Sequence, residues 1–212
     1  MKASIIIIGD ELLIGQVTDT NSGFLARSMA PYGWEVSNVR TIADDPDAIR
    51  EAVREALEES RVVLTTGGLG PTKDDITKSV LCEIFGGELR EDPSVTENIK
   101  NVFRKRGIKL NELTAAQAWV PTSASVIQNP VGTAPVMWFE TEGPRKSVLV
   151  AMPGVPFETE HVFTNAVLPR LLSRFPSPDV IVHRTIMVSD ISESALATVS
   201  YTHLTLPTTP YV

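Results

Sequence analysis

The sequence predicts an α/β fold in which a parallel or mostly parallel sheet carries helices on both faces. Largely apolar runs rich in β-branched residues occur at residues 4–8 and 61–66, as is typical of strands covered on both sides. Segments with helical spacing alternate with such runs. A glycine-rich turn, residues 67–72, joins the second run to a helical segment that begins with two aspartates. In sheets of this kind, ligands bind beyond the carboxyl ends of the strands.

The first half of the chain is predicted to alternate strand and helix three times. A loop at residues 12–20 precedes a helix that Asn21 is suited to cap and that Gly33 ends. Pro46 suits the first turn of the second helix, and the third helix follows the glycine-rich turn. The predicted strands are residues 4–8, 34–42 and 61–66, and the predicted helices are residues 21–32, 46–60 and 74–85.

The second half is less regular, and residues 107–135 combine a short helix with a turn-rich segment. Two strands joined by a turn at residues 142–144 follow, and the last long helix is expected to be interrupted or re-angled near Pro169. The predicted helices here are residues 92–106, 113–119 and 157–172, and the predicted strands are residues 136–139 and 147–152.

Three segments are expected along the chain. Residues 1–172 form the α/β domain, and residues 173–198 begin a second small domain that the sequence does not complete. Within that segment, residues 180–188 resemble a strand and residues 193–198 the start of a helix. Residues 199–212 alternate Thr, Pro and scattered apolar residues without a period that buries a face, so they are interpreted as a non-native tail.

Composition excludes several classes of function. The formal net charge of -7 argues against nucleic-acid contact, because phosphate backbones are bound through clustered Lys and Arg. No apolar run is long enough to cross a bilayer, and no signal peptide is expected. The single cysteine, Cys82, cannot form an internal disulfide and is interpreted as a core residue, so a reducing cytoplasm is expected.

The turn at residues 67–72 predicts a phosphate site. Its glycines leave backbone N–H groups unshielded next to the positive end of a helix, a combination that binds phosphate oxygens. It is not a P-loop, because no Gly-Lys-Ser/Thr follows the last glycine. Glycines in such a turn also serve tight backbone geometry alone, so both interpretations stay open.

Asp44 and Asp75 are the candidate catalytic and metal-binding carboxylates, with Lys73 as a candidate catalytic cation. A carboxylate beside a phosphate repels it unless a divalent cation lies between the two. Helix capping accounts for one of Asp74 and Asp75. Asp44 either caps the helix behind Pro46 or faces Asp75 across the crevice, as a second metal ligand or as the base that activates water.

Five motifs occur in order along the chain: GDELLIG at residues 9–15, DTNS at 19–22, TTGGLGPTKDDITK at 65–78, NPVGTAP at 129–135 and MPGVPFE at 152–158. Together they resemble the N-terminal domain of the CinA (competence/damage-inducible) family, which belongs to the molybdopterin-binding MoaB/MogA-like superfamily. The resemblance covers about residues 1–172 and implies a three-layer α/β/α fold with a mostly parallel sheet.

The resemblance also implies metal-dependent hydrolysis of a nucleotide pyrophosphate, ADP-ribose giving AMP and ribose 5-phosphate. It implies a divalent metal ion (Mg, Mn or Co), with K as a further ion, and it makes Asp44 and Asp75 the catalytic or metal-associated pair. The expected substrate-binding residues are Gly9, Asp10, Glu11, Gly67, Gly68, Leu69, Gly70, Pro71, Thr72, Thr77, Asn129, Gly132, Pro153, Gly154 and Pro156.

Two other functions stay open: a molybdopterin- or pterin-nucleotide binding or transferase domain, and a non-catalytic nucleotide-binding or scaffold module. Leu69 stands where molybdopterin enzymes of the superfamily typically have Thr, which argues against a role in handling the molybdenum cofactor. Relatives imply a homo-oligomer, a dimer or a trimer. Residues 188–197, VSDISESALA, resemble the opening of the family's second domain. No deamidase activity is expected, since the family's deamidase domain does not follow.

Overall fold

A computed structural model describes residues 1–72, 75–107, 109–142, 146–176 and 187–203 of the 212-residue chain. The chain forms two compact units, Met1–Ile181 and Val182–Val212. Within the described ranges, every helix is too short or too polar to cross a bilayer.

A six-stranded sheet forms the centre of the first unit. The strands of the chain are β1 (Lys2–Ile8), β2 (Glu35–Ile42), β3 (Val62–Thr66), β4 (Leu89–Glu91), β5 (Trp119–Pro121), β6 (Ser125–Ile127), β7 (Val136–Glu140) and β8 (Val148–Met152). The sheet order is β2-β1-β3-β8-β7-β6. β1 pairs in parallel with β2 and β3, and β3 with β8, whereas β7 runs antiparallel to both of its neighbours. Among the strands that the structure describes, β7 alone is reversed in this sheet, which confirms the predicted mostly parallel arrangement.

Helices of the first unit cover both faces of the sheet. The helices of this unit are α1 (Asp10–Leu13), α2 (Asn21–Met29), α3 (Pro46–Glu59), α4 (Thr77–Phe85), α5 (Pro93–Arg106), α6 (Glu112–Ala115), α7 (Pro156–Val162) and α8 (Leu168–Arg174), and the second unit contains α9 (Glu193–His203). Alternate residues of β1 belong to different cores: Ile5 and Ile7 pack with α2, α7 and α8, and Ile6 and Ile8 pack with α3 and α4. The two-residue period of a strand thus separates the two helical layers.

Helix capping differs from the prediction at two positions. Asn21 does not cap α2, since Asp19 accepts the hydrogen bond from the Ser22 N–H (3.1 Å) and the Asn21 side chain donates to the Gly154 carbonyl oxygen (2.9 Å). Asp45 caps α3 by accepting hydrogen bonds from the N–H groups of Asp47 (3.0 Å) and Ala48 (2.9 Å). The capping interpretation of Asp44 is therefore wrong, and its carboxylate is free for other contacts.

Two helices in the first half begin elsewhere than predicted. The short helix α1 occupies part of the stretch predicted as a loop. Helix α4 begins at Thr77 and not at residue 74, because the Asp75 side chain folds back onto the preceding turn. Lys73 and Asp74 lie outside the described residues.

Among the described residues, three short strands were not predicted by the sequence: β4, β5 and β6. Trp119 begins β5, which pairs with β4, instead of ending a helix, and β6 pairs with β7. The long helix is interrupted as predicted: a π-helical turn, Phe163–Val167, lies between α7 and α8 and directly precedes the α8 turn that contains Pro169. Proline lacks an N–H and clashes with the carbonyl four residues earlier, which explains the irregularity.

The segments predicted after residue 172 are only partly described. Most of the predicted strand at residues 180–188 and the middle of the 142–144 turn lie outside the described residues. Helix α9 begins at Glu193, where the start of a helix was predicted, and continues beyond residue 198 into the segment interpreted as a tail. The domain limits at residues 172 and 198 stay predictions.

Candidate functional site

A cleft of about 640 Å³ opens at the carboxyl ends of the parallel strands. The segments that follow β1, β2, β3, β6 and β8 line it, so motifs far apart in the sequence meet at one edge of the sheet. The sequence-predicted residues that line it are Gly9, Asp10, Glu11, Asp44, Gly67, Gly68, Leu69, Gly70, Pro71, Thr72, Asp75, Pro153, Gly154 and Pro156.

Three predicted substrate-binding residues lie behind the cleft wall instead of facing the cleft. Thr77 is completely buried next to Gly68. Asn129 is also completely buried, and its side-chain nitrogen donates to the Ala134 carbonyl oxygen (3.1 Å) and to Glu158 Oε2 (2.8 Å). Gly132 lies against the same Glu158 carboxylate. In this structure these three residues support the wall of the cleft and do not line it.

The glycine-rich turn packs directly against the end of β1. Gly67 and Gly68 have φ values of 103° and 62°, in the left-handed region that favours glycine. A Cβ at Gly67 would overlap the Ile8 carbonyl oxygen, and one at Gly68 would overlap the Thr77 hydroxyl. Tight geometry is therefore a sufficient reason for glycine at these two positions, whether or not a ligand binds.

Asp75 holds this turn from inside. Its Oδ1 accepts a hydrogen bond from the Gly70 N–H (2.6 Å), and its Oδ2 accepts from the Thr72 N–H (2.8 Å) and the Thr72 hydroxyl (2.5 Å). The Gly67 N–H donates to the Met152 carbonyl oxygen (3.2 Å). Within the described part of the chain, the N–H groups of Gly68 and Leu69 make no hydrogen bond, so these are the two turn amides left for a ligand.

Asp44 lies at the centre of a group of carboxylates. Burial raises the pKa of its side chain above the ordinary value of 3.8, and the nearby carboxylates of Asp10, Glu11 and Asp75 raise this pKa further. A hydrogen bond from the Asp10 N–H opposes the increase. Negative charges crowded in this way favour the binding of a proton or a cation.

The residues present fit a divalent cation that is shared with a ligand. Among the described residues, no three His, Cys, Asp or Glu side chains come together as a metal-binding group. Mg²⁺-type ions bind through one or two carboxylates and complete their shell with phosphate oxygens and water. Asp10 and Asp44 supply such oxygens, whereas both oxygens of Asp75 already accept hydrogen bonds from the turn. The metal role predicted for Asp75 stays a prediction.

The cleft residues that were not predicted to be part of the site include four with carboxylate or amide side chains: Asp19, Asn21, Gln117 and Glu158. Three of them lie in the DTNS and MPGVPFE motifs, which could have indicated them. Gln117 lies in an irregular segment without a motif, and only the tertiary structure brings its side-chain nitrogen to the Leu69 carbonyl oxygen (3.0 Å).

Lys78 is a cation that interacts electrostatically with Asp75. Its Nζ donates to the carbonyl oxygens of Ala116 (3.3 Å) and Gln117 (3.4 Å). Burial lowers the pKa of Lys78 to about 8, and the Asp75 carboxylate opposes this decrease. Lys78 therefore connects helix α4 to the segment that carries Gln117.

Comparison with known proteins agrees with the motifs. Residues 4–173 match the family described as the probable molybdopterin binding domain. A CinA-like protein of Cytophaga hutchinsonii is 41% identical over 195 residues, which cover 92% of this chain and 46% of the relative. A CinA-like protein of Flavobacterium psychrophilum is 40% identical over 201 residues, covering 93% of this chain and 46% of the relative. The chain thus spans about half the length of these relatives.

Solved structures share the fold. The crystal structure of the protein CinA with unknown function from Thermoplasma acidophilum superposes with a TM-score of 0.68 and 34% identity, covering 79% of this chain and 96% of that one. The molybdopterin biosynthesis enzyme MoaB of Thermus thermophilus superposes with a TM-score of 0.54 and 21% identity, covering 82% and 92%. At that identity the second likeness shows the fold alone. The chain therefore has a MoaB/MogA-like fold and belongs to the probable molybdopterin binding domain family, in the form found in CinA-like proteins.

Proposed function

We propose that the cleft binds a phosphorylated pterin or nucleotide, with a phosphate group at the Gly68 and Leu69 amides. The observation that carries this proposal is that these two N–H groups, at the carboxyl end of β3, make no hydrogen bond within the described chain. Backbone amides at glycine-rich turns are common phosphate ligands. The family's description as a probable molybdopterin binding domain supports a pterin ligand.

The Leu69 side chain does not oppose a pterin. It is 2% exposed and packs with Val80 and Leu81 in the core between the sheet and α4. The Leu69 side chain is therefore not available to a ligand. Leu69 in place of the Thr that is typical of molybdopterin enzymes is consequently a weaker argument against a pterin ligand than the sequence alone suggested.

Hydrolysis of a nucleotide pyrophosphate such as ADP-ribose is the second candidate function, and the environment of Asp44 favours it. The raised pKa of this carboxyl is suited to a general base that takes a proton from water. The water oxygen would form a bond to one phosphorus, and the bond from that phosphorus to the bridging oxygen would break, giving AMP and ribose 5-phosphate.

Three carboxylates would take part in that reaction, and two of them would also hold a metal ion. Asp44 would accept the proton of the attacking water, the Asp10 N–H would orient the Asp44 carboxylate, and Asp75 would hold the turn in place. A bound divalent cation, Mg, Mn or Co, would neutralise charge on the pyrophosphate, and K is proposed as a further ion. Asp10 and Asp44 are the residues that would hold the divalent ion.

A thermal-shift and product screen tests both candidates. The ligands are a molybdopterin-type pterin phosphate, AMP, ADP-ribose and FAD, each with and without Mg²⁺, Mn²⁺ or Co²⁺. We expect a phosphorylated ligand to raise the Tm, and AMP release to identify the hydrolase. Asp44→Asn should abolish the dependence on the metal, whereas Glu160→Gln, an exposed carboxylate outside the cleft, should not. The binding proposal is wrong if no ligand raises the Tm under any of these conditions.

A further inference from the structure

The peptide unit between Leu69 and Gly70 is held from both sides. Its carbonyl oxygen accepts a hydrogen bond from Gln117 Nε2 (3.0 Å), and its N–H donates to Asp75 Oδ1 (2.6 Å). The C=O and N–H of a planar trans peptide point in opposite directions. Two partners on opposite sides therefore determine how this peptide plane is rotated about the chain.

Gln117 is itself firmly anchored. It is 2% exposed in the 3-10 turn Ala116–Ala118, and Lys78 donates to two carbonyl oxygens of that turn. A carbonyl oxygen can only accept, so the side chain must present its nitrogen to Leu69. The Gln117 Oε1 atom is left buried without a hydrogen-bond partner in the described structure.

The unpaired Oε1 atom indicates that Gln117 has a functional role and is not explained by packing alone. A buried polar atom without a partner lowers the stability of a fold, and an apolar side chain of similar length would avoid that cost. The presence of glutamine at this position is therefore explained by its one donated hydrogen bond, which holds the glycine-rich turn.

We propose that Gln117 is a positioning residue for the phosphate site. It fixes the Leu69–Gly70 peptide and thereby holds the N–H groups of Gly68 and Leu69 in the direction that a phosphate requires. Gly70 has little resistance to rotation of this peptide. Without Gln117, the carbonyl oxygen of Leu69 is free to turn toward the cleft, where it would repel a phosphate. This inference rests on the proposed binding of a phosphorylated ligand.

Three variants test the proposal. Gln117→Met removes the donor and keeps the length, and Gln117→Glu keeps the shape and replaces the donor by an acceptor at neutral pH. Gln128→Met is the matched control, because Gln128 also donates one side-chain hydrogen bond (to Ser94 Oγ, 2.7 Å), also has a buried unpaired Oε1, and lies outside the cleft lining. AMP affinity is measured by calorimetry, the Tm by thermal unfolding, and exchange of the Gly70 amide by NMR.

We expect Gln117→Met to weaken AMP binding about tenfold or more, which corresponds to ~1.4 kcal/mol, and to speed exchange of the Gly70 amide. The Tm should fall no further than in Gln128→Met, whose affinity should be that of the wild type. Unchanged affinity and exchange would overturn the proposal, as would an affinity loss that only mirrors a loss of Tm. If Gln117→Met does not fold, Gln117→Glu decides on the same criteria. If the wild type binds no phosphorylated ligand, the proposed function is wrong. In that case, Gly70 amide exchange that is the same in Gln117→Met and in the wild type would also show that Gln117 does not fix the Leu69–Gly70 peptide.

Discussion

Asp10 and Asp44, 34 positions apart in the sequence, each donate a backbone N–H to the side chain of the other. The Asp10 N–H lies 3.3 Å from Asp44 Oδ2, and the Asp44 N–H lies 3.2 Å from Asp10 Oδ1. This pair joins the ends of β1 and β2. The remaining oxygens, Asp44 Oδ1 and Asp10 Oδ2, accept no hydrogen bond within the described chain, so each carboxylate keeps one oxygen for a cation, a water molecule or a ligand.

Asp44→Asn should stabilise the protein increasingly as the pH rises. The folded-state pKa of Asp44 is above its ordinary value of 3.8, so its favourable contribution is complete below pH 3.8 and is lost as the pH rises through the folded-state pKa. Asparagine keeps an acceptor for the Asp10 N–H without the charge. Urea unfolding at pH 4 and pH 7 should show a difference in favour of the variant that grows with pH.

The size of that difference should stay below about 1 kcal/mol, because the Asp44 side chain is only half-buried and solvent screens its charge. Glu160→Gln serves as the control at an exposed position and should show no such trend. A variant that becomes less stable than the wild type between pH 4 and pH 7 would contradict this account of Asp44.

Asp75→Ala should loosen the glycine-rich turn. It removes the acceptor for the N–H groups of Gly70 and Thr72, and such bonds to a partly exposed carboxylate are together worth about 1–2 kcal/mol. Denaturant unfolding measures the loss, and faster amide exchange at Gly70 and Thr72 locates it. Asp75→Asn keeps one carbonyl acceptor and should recover part of the stability. Equal stability of Asp75→Ala and the wild type would show that these hydrogen bonds do not hold the turn.

Gly67→Ala should be far more destabilising than Gly15→Ala. Both glycines have positive φ, 103° and 73°, and an alanine in that region costs about 1–2 kcal/mol. A Cβ at Gly15 meets nothing within 4 Å, whereas one at Gly67 overlaps the Ile8 carbonyl oxygen. We therefore expect about 1 kcal/mol for Gly15→Ala and more than about 3 kcal/mol for Gly67→Ala in urea unfolding. Similar losses at the two positions would show that the turn moves away from β1 at little cost.

The stability of the wild type relative to a Lys78→Met variant should increase in alkaline solution. Burial lowers the folded-state pKa of Lys78 to about 8 from an ordinary value of 10.5. Its contribution is therefore fully present above pH 10.5 and is lost as the pH falls through about 8. The wild type should gain about 3 kcal/mol relative to Lys78→Met between pH 7.5 and pH 10.5. A pH-independent difference between the two proteins would mean that the folded-state pKa of Lys78 is not lowered.

Local patterns were sufficient for the main elements of the fold. The isoleucines of β1 place this segment inside a sheet. The apolar face of α3 places that helix on the surface of the sheet. Capping was less predictable, because Asp44 and Asp45 are the same residue type one position apart. Which of them caps α3 depends on where β2 ends against β1. Strands β5 and β6 are only three residues long, too short for a repeating pattern, and they form because partner strands lie beside them.

The motifs in the sequence were sufficient to determine the family, the edge of the sheet that holds the cleft, and about half of the residues that line it, since strand ends and glycine-rich turns are local features of the chain. The tertiary structure decided which groups within the cleft remain free. Asp75 accepts hydrogen bonds from two amides of the turn. Gln117, 48 residues from Leu69, holds the Leu69–Gly70 peptide, which follows the two turn amides that make no hydrogen bond. The physical reason is that a strand or helix follows from the periodicity of its own residues. The partner of each hydrogen bond in a loop depends instead on which distant segments the fold brings to the same edge.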